Sequence, residues 1–392
     1  MIFLGAFALS MLAVLALTPA VRSLAERLSF LDHPNGSKVH RRPTPLMGGI
    51  AVSLASLAAA AASLALIRCP YSARIVGFMS GGLMVVILGL ADDANGMRPA
   101  VKLAGQTAAA AVMLLSGGIA GIPLPPVLAF SLALFWMVGL MNAFNFLDNM
   151  DGITSGLAAI ATFGIFTLAI GNGHTVTAIA AISVAGGALG FLRYNFSPAS
   201  IFLGDAGSLF LGYVVGGLSL RAVAYADGGS SALLIPVVML GYPIFDAFLV
   251  TAGRLRDGRE VAQGGRDHST HRLTGLGLSA RQTAAAIYIV SASLTGVAIY
   301  LARFQGGGFP LVALATFAAA GGMCFLGLRL FRVPTPELVG VPAAADGLSG
   351  HGLAAPSEDD LLVLADRGCA TAASHVSDEP AEERTREPIE VH

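Results

Sequence analysis

Long apolar stretches separated by short polar knots run along most of the chain. Hydrophobic positions cover about 2–20, 46–67, 75–91, 101–118, 126–144, 157–171, 176–192, 207–224, 231–252, 283–302 and 309–331. Each approaches the roughly 20 residues a helix needs to cross a bilayer. The stretches are apolar on every side and rich in Ala, Leu and Gly, whereas the strands of a membrane barrel alternate apolar and polar positions. The pattern therefore predicts an all-α, polytopic integral membrane helical bundle of about 10–11 transmembrane helices. Gly48-Gly49, Gly81-Gly82 and Gly186-Gly187 suit close helix approach in lipid.

After about residue 334 the character changes to Pro, Glu, Asp, Arg and Ala. Such a segment buries too little apolar surface to order itself. The expected organisation is a transmembrane domain over 1–333 and a disordered cytoplasmic tail over 334–392, with room for a short helix near Asp359 to Arg367.

Composition removes other classes. With 55% hydrophobic and 12% charged residues and a mean hydropathy of +0.73, the chain is too apolar for a soluble domain, where charged residues run at about 25%. A net charge of −1 gives no basis for a nucleic-acid partner. Cys69, Cys324 and Cys369 form neither a disulfide framework nor a metal spacing.

Charge becomes informative once it is placed. The first stretch ends in Thr18-Pro19-Ala20 but has no basic residue ahead of it and Arg22 and Arg27 behind, so it reads as a retained first helix with a periplasmic N-terminus. Alternating the following helices puts Arg22, Arg27, Lys38, Arg41, Arg42, Arg98, Lys102, Arg193, Arg254, Arg256, Arg259, Arg266, Arg272 and Arg281 on one side. Only Arg68, Arg74, Arg221 and Arg303 fall on the other. Cytoplasmic loops carry the excess of basic residues, which makes the first side the cytoplasm.

Four polar clusters fall on that same side: Asp92-Asp93, Asn142 to Asp151, Phe202 to Ser208 and His268 to Arg272. Ionisable groups beside a bilayer are costly, and their presence marks a functional-site candidate. Magnesium prefers a few carboxylates with waters and phosphate oxygens, and phosphoryl transfer needs mainly positioning and charge neutralisation. Asp205 is the favoured metal ligand, with Gly204 and Gly207 admitting a phosphate and a helix starting near Gly207-Ser208 offering free N–H groups; a plain helix N-cap is the alternative. Asp92 and Asp93, followed by Lys102 on the next helix, suit a phosphate-and-metal site or merely cap a loop. Asn142, Asn145, Asp148 and Asp151 recur every three residues and line one side of a helical turn or a solvated helix end. His268 and His271 with Arg272 suit a diphosphate as cations, or are ordinary loop residues.

Together these residues make the chain resemble the polyprenyl-phosphate N-acetylhexosamine-1-phosphate transferases of glycosyltransferase family 4. The likeness rests on Asp32-x-Pro34-Asn35-x-x-Lys38-x-His40 with Pro45 and Gly48-Gly49, and on Asp92-Asp93 through Pro99, Lys102 and Gln106. It continues through Asn142-x-x-Asn145-x-x-Asp148-x-x-Asp151-Gly152, Phe202-x-Gly204-Asp205-x-Gly207-Ser208, and His268 to Arg272 followed by Leu276-Gly277-Leu278-Ser279.

The resemblance implies a multi-pass protein of a bacterial cytoplasmic (inner) membrane that transfers a sugar 1-phosphate from a UDP-N-acetylhexosamine to undecaprenyl phosphate. UMP would be released with Mg²⁺ as cofactor and Mn²⁺ as a substitute, at the initiating step of a cell-envelope polysaccharide such as O-antigen. It implies Asp205, with Asn145 beside it, for the metal, and Asp92 and Asp93 for the metal or the lipid phosphate. Asn145, Asp148 and Asp151 would shape the nucleotide-sugar pocket, Phe202 would meet the uracil, and His268 and His271 would hold the diphosphate. Lys38, His40, Lys102, Asn142 and Arg272 complete the implied substrate-binding set, and a homodimer is compatible with it.

The segments Leu147 to Gly152 and His268 to Arg272 resemble the UDP-GlcNAc branch. The branch acting on UDP-MurNAc-pentapeptide, an alternative function, usually carries a TDGLDG segment and three successive histidines. Thr270 departs from the pattern, standing where a further histidine is common. Direct attack by the lipid phosphate is favoured over an aspartyl intermediate, since the phosphate is already an anionic nucleophile. An aromatic prenyltransferase would want two Asn-Asp-x-x-Asp motifs, and an ion-coupled transporter would place its acids near the midplane.

Overall fold

The computed structural model describes residues 1–33, 43–119, 122–223, 232–261, 265–303 and 321–322. Lys38 and His40, the stretch 309–331 (apart from its residues 321–322) and the tail 334–392 lie outside the described residues.

The described chain is a helical bundle. Its elements are α1 (Ile2–Arg27), a two-residue strand pair β1 (Leu31–Asp32) and β2 (Thr44–Pro45), α2 (Gly48–Leu66), α3 (Ala73–Asn95), α4 (Pro99–Met113), α5 (Pro126–Leu147), α6 (Ile153–Gly171) and α7 (Thr175–Asn195). They continue with α8 (Gly204–Val223), α9 (Leu234–Met239), α10 (Gly241–Arg256), α11 (Ser269–Gly275) and α12 (Ala280–Arg303). Among the described residues eight helices are long and apolar enough to cross a membrane: α1, α2, α3, α4 with the turn that follows it, α5, α6, α7 and α12. Leu4, Leu12, Ile87, Val127, Phe135 and Ile289 remain largely exposed. Large apolar side chains left bare around a bundle fit lipid as the solvent, and the protein is a multi-pass membrane protein.

The helices form where the apolar stretches predict them, with two corrections. The expected single helix over 231–252 is broken at Leu240 into α9 and α10. Pro243 has no N–H to give the carbonyl of Met239, and its ring crowds that carbonyl, so a continuous helix is interrupted there. The expected helix over 101–118 ends in a π-helical turn, Leu114–Gly118, with Gly117 at φ +99°. Inserted π turns of this kind are rare and tend to mark functional sites.

α8 is the axis of the bundle. Leu209, Phe210, Leu211, Tyr213, Val214 and Val215 are fully buried, and α8 packs against α2, α3, α5 and α6. Its N-terminal turn is reached closely by two neighbours because they lack side chains at the crossing. A Cβ on Gly49 of α2 would collide with the backbone of Gly207, and one on Gly89 of α3 with that of Ala206. Gly49→Ala should therefore lower the thermal midpoint of unfolding, with a cost of about 1–3 kcal/mol for an overpacked contact. A midpoint equal to the parent's would refute this close contact.

Successive helices alternate in direction. The C-termini of α3 and α5 and the N-termini of α4, α6 and α8 consequently meet at one end, and three of the four polar clusters meet there with them. The fourth enters through α10 and α11.

Candidate active site

Lys102, at the start of α4, joins the first three clusters. Its ammonium lies 2.7 Å from Asp92 Oδ2, donates to Asn145 Oδ1 at 3.1 Å and contacts Asp205 Oδ2. Asn145 turns its Nδ2 to Asp205 Oδ1 at 2.7 Å and to Ser208 Oγ at 3.0 Å. Lys102 bridges the carboxyls of Asp92 and Asp205. Four helices thus deliver one side chain each to a compact, half-buried cluster.

Asp93 does something else. Its two oxygens accept the backbone N–H groups of Asp205, at 2.9 Å, and Ala206, at 3.2 Å. The helix begins at Gly204, three residues before the expected start, and the N–H groups of Asp205 and Ala206 in its first turn are given to Asp93. A carboxylate there also suits the positive end of the helix dipole. Asp92 similarly uses Oδ1 to accept the N–H of Met97 at 2.6 Å, tightening the turn between α3 and α4.

The second cluster divides by role. Asn142 is engaged with Gln106, its Nδ2 donating to Gln106 Oε1 at 2.7 Å, so its amide ties α5 to α4. Asp151 Oδ2 accepts the N–H of Ala199 at 2.9 Å and pins the loop between α7 and α8. Asn145 and Asp148 remain in the acidic group. Burial, and then the charges of Asp205, Asp93 and Asp151, push the Asp148 carboxyl up to about 8. It therefore keeps its proton at neutral pH, chiefly because it is buried. Phe202 is half-buried; its backbone N–H donates to Pro45 and its carbonyl accepts from Gly48, binding the segment to β2 and α2.

In the fourth cluster His268, Ser269 and Thr270 are all buried, and the expected loop contains the short helix α11. Thr270 donates to Asn149 Oδ1 at 2.6 Å, so the residue that departs from the family pattern fastens this cluster to the second one. His268 lies edge-on to Phe146, ring centroids 6.2 Å apart, and 6.1 Å from His271. Burial, with the charges of His268 and Arg266, lowers the His271 imidazole to about 4. At that value it is neutral at pH 7. Arg272 donates to the carbonyl of Asp267 at 3.1 Å.

Two groups escaped the sequence reading. Asp246, completely buried on α10, faces His268 Nδ1 at 2.9 Å and accepts the N–H of Ser269 at 2.7 Å and its Oγ at 2.5 Å. Arg254, also buried, makes a bidentate pair with Asp267 at 2.9 and 3.0 Å and lies over the Phe146 ring, 5.6 Å from its centroid. Burial alone would raise the Asp267 carboxyl, but the hydrogen bonds and charge of Arg254 win and hold it at about 2. The available signal was an Asp and an Arg inside or beside a predicted span, where a charge needs a partner.

Among the described residues no three His, Cys, Asp or Glu side chains converge as a ready metal cage. Asp92 and Asp205, with Asn145 adjacent, nevertheless suit a hard cation that takes one or two carboxylates and completes its shell with water and phosphate.

The described residues thus form a multi-pass bundle with acids, amides and one lysine gathered at a single end. Comparison with known proteins supplies the class. The family model for glycosyl transferase family 4 matches residues 75–223, the span from α3 to α8 that carries Asp92, Lys102, Asn145 and Asp205. A probable undecaprenyl-phosphate N-acetylglucosaminyl 1-phosphate transferase of Bacillus subtilis strain 168 is 33% identical over 295 residues, 73% of this chain and 81% of that protein. A decaprenyl-phosphate N-acetylglucosaminephosphotransferase of Mycolicibacterium smegmatis is 34% identical over 302 residues, 69% of this chain and 74% of that protein. An undecaprenyl-phosphate alpha-N-acetylglucosaminyl 1-phosphate transferase of Thermotoga maritima is 30% identical over 244 residues, 61% and 71% of the two chains. The chain belongs to glycosyl transferase family 4.

Proposed function

We propose that the protein transfers N-acetylglucosamine 1-phosphate from UDP-GlcNAc to undecaprenyl phosphate, yielding undecaprenyl-diphosphate-GlcNAc and UMP and initiating a cell-envelope polysaccharide. The observation that carries this reading is the Lys102–Asp92–Asp205–Asn145 cluster at one end of a membrane bundle. The relatives' substrates and the segments 147–152 and 268–272 support it.

An oxygen of the lipid phosphate attacks the phosphorus that bears the sugar. The bond from that phosphorus to the oxygen bridging it to the uridine-side phosphate breaks, and UMP leaves with that oxygen. Mg²⁺, held by Asp205 and Asp92 beside Asn145, would draw charge from the diphosphate oxygens. Lys102 supplies a second positive charge at the same place, and its two carboxylate neighbours keep it aimed. Asn145 fixes the Asp205 carboxylate through Nδ2. Neutral His271 donates a hydrogen bond to the diphosphate, while His268, held by Asp246, presents its other ring nitrogen. Most of the rate gain comes from holding two anions in line and offsetting their repulsion. The distribution of basic residues supports a cytoplasmic location for this end of the bundle, where a soluble UDP-sugar is available.

Membranes carrying the protein should release UMP from UDP-GlcNAc only when undecaprenyl phosphate and Mg²⁺ are both present. Release without the lipid phosphate, or undiminished release in excess EDTA, would overturn the proposal, and a panel of UDP-sugars in the same assay decides the hexosamine.

A further inference from the structure

The end of the bundle opposite the acidic cluster contains a cavity of about 570 Å³ between α2, α3, α7, α8 and the π-helical turn after α4. This volume lies within the roughly 300–1,000 Å³ usual for small-molecule sites. Its walls are apolar, with Leu57, Leu64, Phe78, Met79, Met113 and Leu218 among them. Its polar lining is one-sided in charge: Arg74, Arg221 and His174 border it, and no carboxylate does among the described residues. Burial, and then the nearby Arg221 charge, lower the His174 imidazole.

Backbone geometry contributes to this arrangement. Arg74, in the first turn of α3, lies against Gly117, where an added Cβ would come within 3.0 Å of its Nε and 3.1 Å of its Cγ. The π-helical turn and its positive-φ glycine thus make room for the arginine stem at the cavity. Leu66, Ile67, Tyr71 and Leu115 are exposed at the same end, so the opening lies beside apolar, bilayer-facing surface. Tyrosine and arginine near helix ends are characteristic of the headgroup level.

We propose that this cavity is a binding site for an anionic phospholipid, its phosphodiester meeting Arg74 and Arg221 and the upper part of an acyl chain lying along the apolar wall. A soluble anion would have no use for that wall, and a zwitterionic headgroup would bring its own cation beside Arg74 and Arg221. Arg221 lies on α8 about 24 Å from Asp205 by helical rise, so the site is separate from the phosphate-handling cluster and does not depend on the reading given to it. It would tie five helix ends together through a bilayer component.

The test uses the full chain purified in detergent, delipidated, and examined by native mass spectrometry with phosphatidylglycerol or phosphatidylcholine added. The wild type should retain one phosphatidylglycerol and discriminate against phosphatidylcholine. Arg74→Gln/Arg221→Gln should weaken retention about 30-fold, whereas Arg74→Lys/Arg221→Lys should remain within about threefold of wild type. The thermal midpoint and helical circular dichroism of each variant check folding. Equal retention of both lipids by the wild type would overturn the proposal, as would unchanged retention in a folded Gln variant. So would full displacement of phosphatidylglycerol by millimolar inorganic phosphate, which reveals a soluble-anion site. If the Gln pair fails to fold, Arg74→Gln alone, at an exposed position, and the phosphate competition on wild type decide the matter.

Discussion

Asp205→Asn should reduce UMP release by on the order of 10³-fold, the loss typical when a principal electrostatic partner of a reacting oxyanion is removed. The substitution is nearly isosteric, so the effect is one of charge and hydrogen-bond polarity. Asp205 accepts from Lys102 and from Asn145 Nδ2. An amide in its place would turn a donor toward one of these donors and leave Lys102 with Asp92 as its only carboxylate partner. The same change removes one of the two carboxylates assigned to Mg²⁺, so the Mg²⁺ concentration for half-maximal activity should rise together with the fall in turnover. Folding should survive, because the first N–H groups of α8 are held by Asp93, not by the Asp205 side chain. Turnover within threefold of wild type, measured with saturating Mg²⁺ and undecaprenyl phosphate, would sink the assignment of Asp205 to the metal. A variant with a sharply lower melting temperature would instead show that its side chain serves the fold.

Much of this arrangement is legible in the chain. Apolar stretches of membrane-spanning length give the helices, and their alternation brings Asp92, Lys102, Asn145 and Asp205 to one end without any knowledge of packing. What a linear pattern does not contain is the partner of each polar group. Asp93 and Asp92 are adjacent and chemically alike, yet one closes the start of α8 and the other meets Lys102. That division depends on how closely Gly49 and Gly89 let α2 and α3 approach the α8 N-terminus. Asn142 shares a three-residue spacing with Asn145, but one helical turn deeper it meets Gln106. The break at Leu240 follows from a single proline inside an apolar run, and this break separates α9 from the helix that carries Asp246.

That position gives the second large expected effect. Asp246→Asn should lower kcat about 10–100-fold, the usual cost of removing a carboxylate that orients a functional histidine, with little change in the KM for UDP-GlcNAc. Asp246 is acceptor-only when ionised, so Nδ1 of His268 donates to it, and in the neutral imidazole Nε2 is left as the acceptor. Asparagine can present its NH₂ to Nδ1 instead, which reverses the tautomer and places a proton on Nε2. The other two bonds to Asp246 come from the backbone and hydroxyl of Ser269, and Tyr242 OH lies 2.7 Å from that hydroxyl. Ser269→Ala should consequently cost less than Asp246→Asn, because it leaves the carboxylate free to hold the imidazole. A purely structural role for Asp246 predicts the opposite signature: lower melting temperature, less folded enzyme, and an unchanged kcat and pH profile in the fraction that folds. A displaced pH–rate profile in a folded Asp246→Asn variant distinguishes the two, since only a change at the imidazole alters the proton balance of the site. If His268→Ala and Asp246→Asn are combined, their losses should fall well short of additive, as expected for residues acting through one another. Fully additive losses would mean that Asp246 does not act through His268.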